Sequence, residues 1–81
     1  MKKIIVTGGQ GFIGSNLVEY LLDKNYFVIN IDKSSYSANP YNVRNFKKNK
    51  NYVFFKVDLN NKKKIINILK KYKPNCIFNL K

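Results

Sequence analysis

Three glycines spaced three residues apart break the run Ile4-Ile5-Val6-Thr7-Gly8-Gly9-Gln10-Gly11-Phe12-Ile13-Gly14-Ser15. The residues before Gly8 have strand character, and a helix-patterned segment opens before Gly14. A strand, a tight turn and a helix start in that order aim the first unpaired N–H groups of the helix at one point. The positive end of the helix dipole faces the same point, so an anion belongs there. Gly8 allows the sharp turn, Gly11 removes the side chain that would strike a pyrophosphate, and Gly14 lets the helix lie close on the strand. The glycine spacing carries little by itself. Its context makes it a dinucleotide fingerprint: a strand before, a helix after, and an acid, Asp32, about 20 residues further on.

Asp32 stands at the end of the next strand-like run, Phe27 to Ile31, where the adenosine ribose of a dinucleotide lies in such a fold. An ionised carboxylate there accepts hydrogen bonds from both ribose hydroxyls and repels a 2′-phosphate, which argues for NAD over NADP. Lys33 leaves two alternatives open: it sits over the adenine or ribose, or it softens the discrimination against the phosphate.

The elements that position these residues follow from hydrophobic periodicity. Lys2 to Thr7 reads as a strand covered on both faces. Phe12 to Lys24 reads as a helix with Ile13, Leu17 and Leu21 on one line and Val18 and Leu22 beside it, that face turned to the sheet. Asn25 tolerates a left-handed cap. Ser34 to Asn51 is polar, holds Pro40 and reads as a long loop with one helical turn around Tyr41 to Phe46. Tyr52 to Val57 is a third strand. Asn60 or Asn61 caps a second helix whose apolar stripe is Ile65, Ile68, Leu69 and Tyr72. Pro74 stops it, and Cys76 to Leu80 is a fourth strand. The expectation is an α/β chain, residues 1–81 being the amino-terminal part of one Rossmann-type domain. Its doubly wound parallel sheet is incomplete, with strand order 3-2-1-4 from right-handed crossovers.

Composition bounds the alternatives. The 81 residues carry 16 basic and 4 acidic side chains, a net charge of +12. Such a balance raises nucleic acid as a partner, through Lys47 to Lys50 and Lys62 to Lys64. Yet Lys, Asn, Ile, Tyr and Phe make up 49 of the 81 residues, with a single Arg and a single Ala. That asymmetry is the mark of codons rich in A and T, and a phosphate-reading surface would favour the bidentate fork of Arg. Cys76 is the sole cysteine, so no intrachain disulfide can form. Its apolar run suggests a small buried thiol in a reducing, cytoplasmic setting. Only Ile4 to Val6 follow the two amino-terminal lysines before polar residues, too few for a signal peptide. No stretch approaches the ~20 apolar residues that span a bilayer.

The segment Val6 to Ser15 resembles the opening of the extended short-chain dehydrogenases, the NAD-dependent epimerases and dehydratases of nucleotide sugars. Asp32-Lys33-Ser34-Ser35-Tyr36-Ser37-Ala38-Asn39 is similar to the Asp-Lys-x-x-Tyr-x-x-Asn segment of the dTDP-glucose 4,6-dehydratase branch. Tyr52 to Asp58 and Lys73-Pro74-Asn75 also fall where that branch has similar residues. The resemblance covers the whole chain and about the first quarter of the family's usual length. It implies that the amides of Phe12 and Ile13 hold the pyrophosphate and that Lys33, Ser34 and Ser35 lie at adenosine contacts beside Asp32. It implies that Asp58 and Leu59 approach the adenine edge, and that Leu80 begins the loop beneath the nicotinamide. Asn79 stands where the family usually has His, and Lys81 replaces a small alanine. The implied cofactor is NAD and the implied substrate a nucleotide sugar, often in a homodimer. The implied chemistry is transient: hydride passes from the sugar's C4 to NAD, water is eliminated across C5 and C6, and the hydride returns to C6.

No catalytic residue of that reaction can be placed in these residues, so the chain alone is expected to be inactive. Tyr20 to Lys24 and Tyr52 to Lys56 both read Tyr-x-x-x-Lys, like the family's catalytic pair. One lies on the glycine-loop helix and the other in a strand, which assigns both to packing and surface. Histidine is absent, which removes serine–histidine catalysis and histidine-metal sites. Three other readings stand beside the dehydratase: a nucleotide-sugar epimerase or reductase, a small basic nucleic-acid-binding module, and a remnant whose sheet never closes.

Overall fold

The structure, a computed structural model, describes residues 1–8, 12–33 and 49–80. Its elements are β1 (Lys3–Thr7), α1 (Phe12–Asp23), β2 (Phe27–Asp32), β3 (Tyr52–Lys56), α2 (Lys62–Tyr72) and β4 (Cys76–Asn79). The four strands form one parallel sheet in the order β3-β2-β1-β4. This is the Rossmann-type arrangement with the expected 3-2-1-4 order. The helical turn anticipated around Tyr41 to Phe46 lies outside the described residues.

The order of strands follows from where each run can bury its side chains. β1 and β2 are apolar on both faces and sit centrally, in the register Ile5↔Ile29 and Thr7↔Ile31. The pleat sends Ile4, Val6 and Val28 to one face, where Val18, Leu21 and Leu22 of α1 close over them. It sends Ile5, Ile29 and Ile31 to the other face, where Ile68 of α2 meets them and Ile65, Leu69 and Tyr72 pack alongside. Tyr72 lies stacked on Phe27, ring centroids 5.9 Å apart, and edge-on to Phe55 at 6.0 Å. Polar side chains also enter the α1 layer. Asn30 is fully buried, and its Nδ2 donates to the Tyr52 hydroxyl at 3.0 Å, which offsets the cost of its desolvation.

Helix ends obey local chemistry. Asn61 caps α2, its Oδ1 accepting from the Lys64 N–H at 3.3 Å. Lys73 closes that helix at φ 50°, its N–H donating to the Leu69 carbonyl at 2.9 Å. Asn25 takes the left-handed conformation after α1, at φ 66°.

Two expectations of burial are corrected. Ile13 is exposed, because at 100° per residue it falls outside the arc of α1 that holds Gly14, Ser15, Val18, Leu21 and Leu22. The rest of the expected face holds, with Val18, Leu21 and Leu22 in the core, Leu17 packed against it, and Gly14 and Ser15 buried beside them. Cys76 is also exposed, as is the whole of β4. β4 is an edge strand whose outer side carries no further strand among the described residues, so apolar sequence there does not become core.

Candidate dinucleotide-binding site

Parallel strands all deliver their carboxyl ends to one side of a sheet, and in this order β1 and β4 leave in opposite crossover directions, opening a crevice between them. Two described features meet on that side. Gly8, the first residue after β1, has φ 81°, a region where a Cβ is strained. Its N–H donates to the Ile31 carbonyl of β2 at 2.9 Å, so the chain leaves the sheet in a fixed direction before α1 begins at Phe12. Gly14 is buried in the first turn of α1, against the sheet, in a place where a side chain would push the helix away.

The second feature is an open cleft of about 120 Å³ over the ends of β2 and β3, lined by Ile31, Asp32, Lys33, Asp58, Leu59 and Asn60. Asp32 is 6% exposed at the last position of β2, and its carbonyl accepts the Val57 N–H at 3.0 Å, which holds β3's exit beside it. Asp58 is exposed, and its Oδ1 accepts the Asn60 N–H at 2.9 Å while its carbonyl accepts the Asn61 N–H at 2.8 Å. This double turn fixes the Asp58 carboxylate at the cleft and delivers the chain directly to the cap of α2. Leu59, 38% exposed, contributes an apolar wall between the two acids.

The structure thus gathers Asp32, Lys33, Asp58 and Leu59 into one cleft. Phe12, Ile13 and Gly14 stand at the start of α1, and Leu80 follows β4 on the same side of the sheet. Gly11, Ser34 and Ser35 lie outside the described residues. Ile31 and Asn60 also line the cleft and were not singled out from sequence. Their signal was available: Ile31 precedes the strand-end acid Asp32, and Asn60 follows the Asp58-Leu59 pair. Of the two Tyr-x-x-x-Lys pairs, one lies at the end of α1 and the other in β3. Lys24 lies over the exposed Tyr20 ring at 5.4 Å, and the Tyr52 hydroxyl is held by Asn30.

A further contact joins the strands that flank the crevice. The Thr7 hydroxyl donates to Asn79 Oδ1 at 2.8 Å and accepts from the Leu80 N–H at 3.3 Å. Among the described residues no group of three His, Cys, Asp or Glu side chains could hold a metal ion. No described helix is long and apolar enough to cross a membrane.

A family model described as GDP-mannose 4,6 dehydratase matches residues 5–81. The chain belongs to this family. It is 47% identical over 81 residues to the dTDP-glucose 4,6-dehydratase of Haemophilus influenzae, an alignment covering 99% of this chain and 24% of that protein. The crystal structure of dTDP-glucose 4,6-dehydratase from Bacillus anthracis in complex with NAD superposes with a TM-score of 0.89 at 37% identity, covering 100% of this chain and 27% of that one. The UDP-glucose 4-epimerase of Thermus thermophilus, also a complex with NAD, gives a TM-score of 0.77 at 32% identity, covering 98% of this chain and 24% of that one. The chain spans about a quarter of the length of these relatives. Membership agrees with the resemblance read from the glycine turn and the Asp32 segment.

Proposed function

We propose that residues 1–81 are the amino-terminal part of the NAD-binding domain of a nucleotide-sugar 4,6-dehydratase, and that they bind the adenosine diphosphate half of the cofactor. The observation that carries this reading is the convergence of Asp32, Asp58 and Leu59 on one cleft beside the glycine turn into α1. The fit is chemical. Asp32 accepts the two ribose hydroxyls, Leu59 packs on the adenine plane, and Asp58 accepts from the exocyclic amine. Lys33, Ser34 and Ser35 border the adenosine. Gly8, Gly11 and Gly14 keep side chains away from the pyrophosphate, which the amides of Phe12 and Ile13 bind. Leu80 underlies the nicotinamide side.

Bound NAD would supply a hydride acceptor and donor for a transient oxidation at the sugar. These residues bind and orient it and contribute no proton transfer of their own. Sugar binding, elimination and the homodimer belong to residues outside this chain, in a cytoplasmic enzyme consistent with a lone cysteine. A nucleotide-sugar 4-epimerase is the second reading, supported by the likeness to the Thermus structure. The Asp-Lys-x-x-Tyr-x-x-Asn match at Asp32, Lys33, Tyr36 and Asn39 favours the dehydratase.

The test is titration of the folded chain with NAD and with ADP-ribose while recording backbone amide signals. Shifts confined to the Gly8–Gly14 turn, Asp32–Lys33 and Asp58–Asn60 are expected. An unchanged spectrum at millimolar ligand would falsify the reading.

A further inference from the structure

The two helices of this chain carry charge very differently. The twelve residues of α1 include two acids and no lysine, whereas the eleven residues of α2 include five lysines and no acid. An A/T-rich coding bias raises lysine throughout a chain, so it does not explain the contrast between the two helices. Three of the α2 lysines, Lys62, Lys63 and Lys64, sit on the first turn, where the helix dipole opposes positive charge. Local helix stability gains nothing from them. Because α2 runs antiparallel to the strands, that turn stands at the cleft, two residues after the lining residue Asn60. Lys70 and Lys71 stand at the far end, about 10–13 Å further along the axis.

The cleft has an electrostatic difficulty that the lysines answer. Asp32 and Asp58 both line it, so a diphosphate approaching the adenosine site meets two carboxylates. Lys33, also in the lining, offsets one charge. We propose that Lys62, Lys63 and Lys64 form, with Lys33, a cationic rim that draws diphosphate-bearing nucleotides into the cleft between β2 and β3. The inference rests on the dinucleotide reading and adds to it the source of attraction for the ligand's charge. Ammonium groups on a first turn lie on the order of 10 Å from the cleft, within a Debye length at low salt and beyond it at high salt. Their effect is therefore long-range and screened, unlike a direct hydrogen bond.

The experiment compares ADP-ribose, which is anionic, with adenosine, which is neutral and meets the same Asp32, Leu59 and Asp58. In about 20 mM salt, K62Q/K63Q/K64Q should weaken ADP-ribose by about 3- to 10-fold and leave adenosine unchanged. In about 300 mM salt the loss should fall below about twofold. K70Q/K71Q, removing charge at the far end, should have the smaller effect. Because the first-turn lysines oppose the dipole, the triple variant should melt no lower than the parent chain. If that variant nevertheless fails to fold, the parent chain's own salt dependence decides, since ADP-ribose affinity must fall with salt while adenosine affinity holds. Unchanged ADP-ribose affinity at low salt, an equal loss for adenosine, or an equal effect of K70Q/K71Q would overturn the rim. Failure of both ligands to bind the parent chain would instead overturn the dinucleotide reading and the rim with it.

Discussion

Thr7 and Asn79 face each other across β1 and β4, and the threonine hydroxyl donates to the Asn79 side-chain oxygen at 2.8 Å. The same hydroxyl accepts the Leu80 N–H, so one buried group ties the end of the central strand to the end of the edge strand and to the residue that follows it. Thr7→Val keeps the shape and removes both bonds. It should destabilise the chain by about 1–2 kcal/mol, and each kcal/mol should lower Tm by about 4–8 °C in a domain this size. Thermal melts of Thr7→Val, Asn79→Ala and the double variant check this. Additive effects of the two substitutions would show that the pair does not act as a unit.

Asp32→Asn removes the carboxylate at the end of β2 while preserving side-chain volume. Affinity for NAD should fall by about tenfold, and NADP should lose less, because the carboxylate that repels its 2′-phosphate is gone. Parallel titrations with the two dinucleotides measure the ratio. An unaltered preference would remove Asp32 from the ribose site.

On the proposed reading, Gly11→Val places a branched side chain where the pyrophosphate approaches the backbone. Binding of NAD and ADP-ribose should be lost while the far-ultraviolet spectrum and melting temperature stay near those of the parent chain. If the variant instead showed strongly salt-dependent nucleic-acid binding like the parent chain's, the basic-module reading would gain ground.

Ile29 is fully buried at the centre of the sheet, beneath α2. Ile29→Ala should cost about 2–5 kcal/mol, a large part of the total stability expected for 81 residues. The parent chain should unfold cooperatively in urea and the variant should lose that transition. A parent chain without a cooperative transition would support the view of a remnant whose sheet does not close.

Lys73 occupies the left-handed C-cap of α2 at φ 50°, a conformation that strains a side chain with a Cβ. Lys73→Gly should raise stability by about 0.5–1 kcal/mol, and Asn61→Ala at the opposite end should lower it by about 1 kcal/mol. Chemical denaturation of the two variants should move in opposite directions.

Much of this was readable beforehand because it depends on neighbours in sequence. The glycine spacing, the step from strand to helix at Phe12, the left-handed Asn25, the Asn61 cap and the stop at Pro74 are all local events. So is the placing of Asp32 at a strand end. Periodicity failed where burial depends on what lies across the sheet. Ile13 continues the apolar line of α1, yet it lies at the margin of the arc that meets the sheet, while Gly14 and Ser15 of the same turn are buried. Cys76 begins an apolar run, yet that run became an uncovered edge.

The amino-acid sequence by itself determined which residues form strands and helices, the 3-2-1-4 order through the handedness of crossovers, and the turn that suits a diphosphate. Only the tertiary structure decided that Asp32 and Asp58, 26 positions apart, line one cleft with Leu59. It also decided that Thr7 reaches Asn79. The reason is that hydrogen-bonded turns and helix periods are settled within a few residues, whereas a cleft exists only after parallel strands have brought distant carboxyl ends to the same side of a sheet.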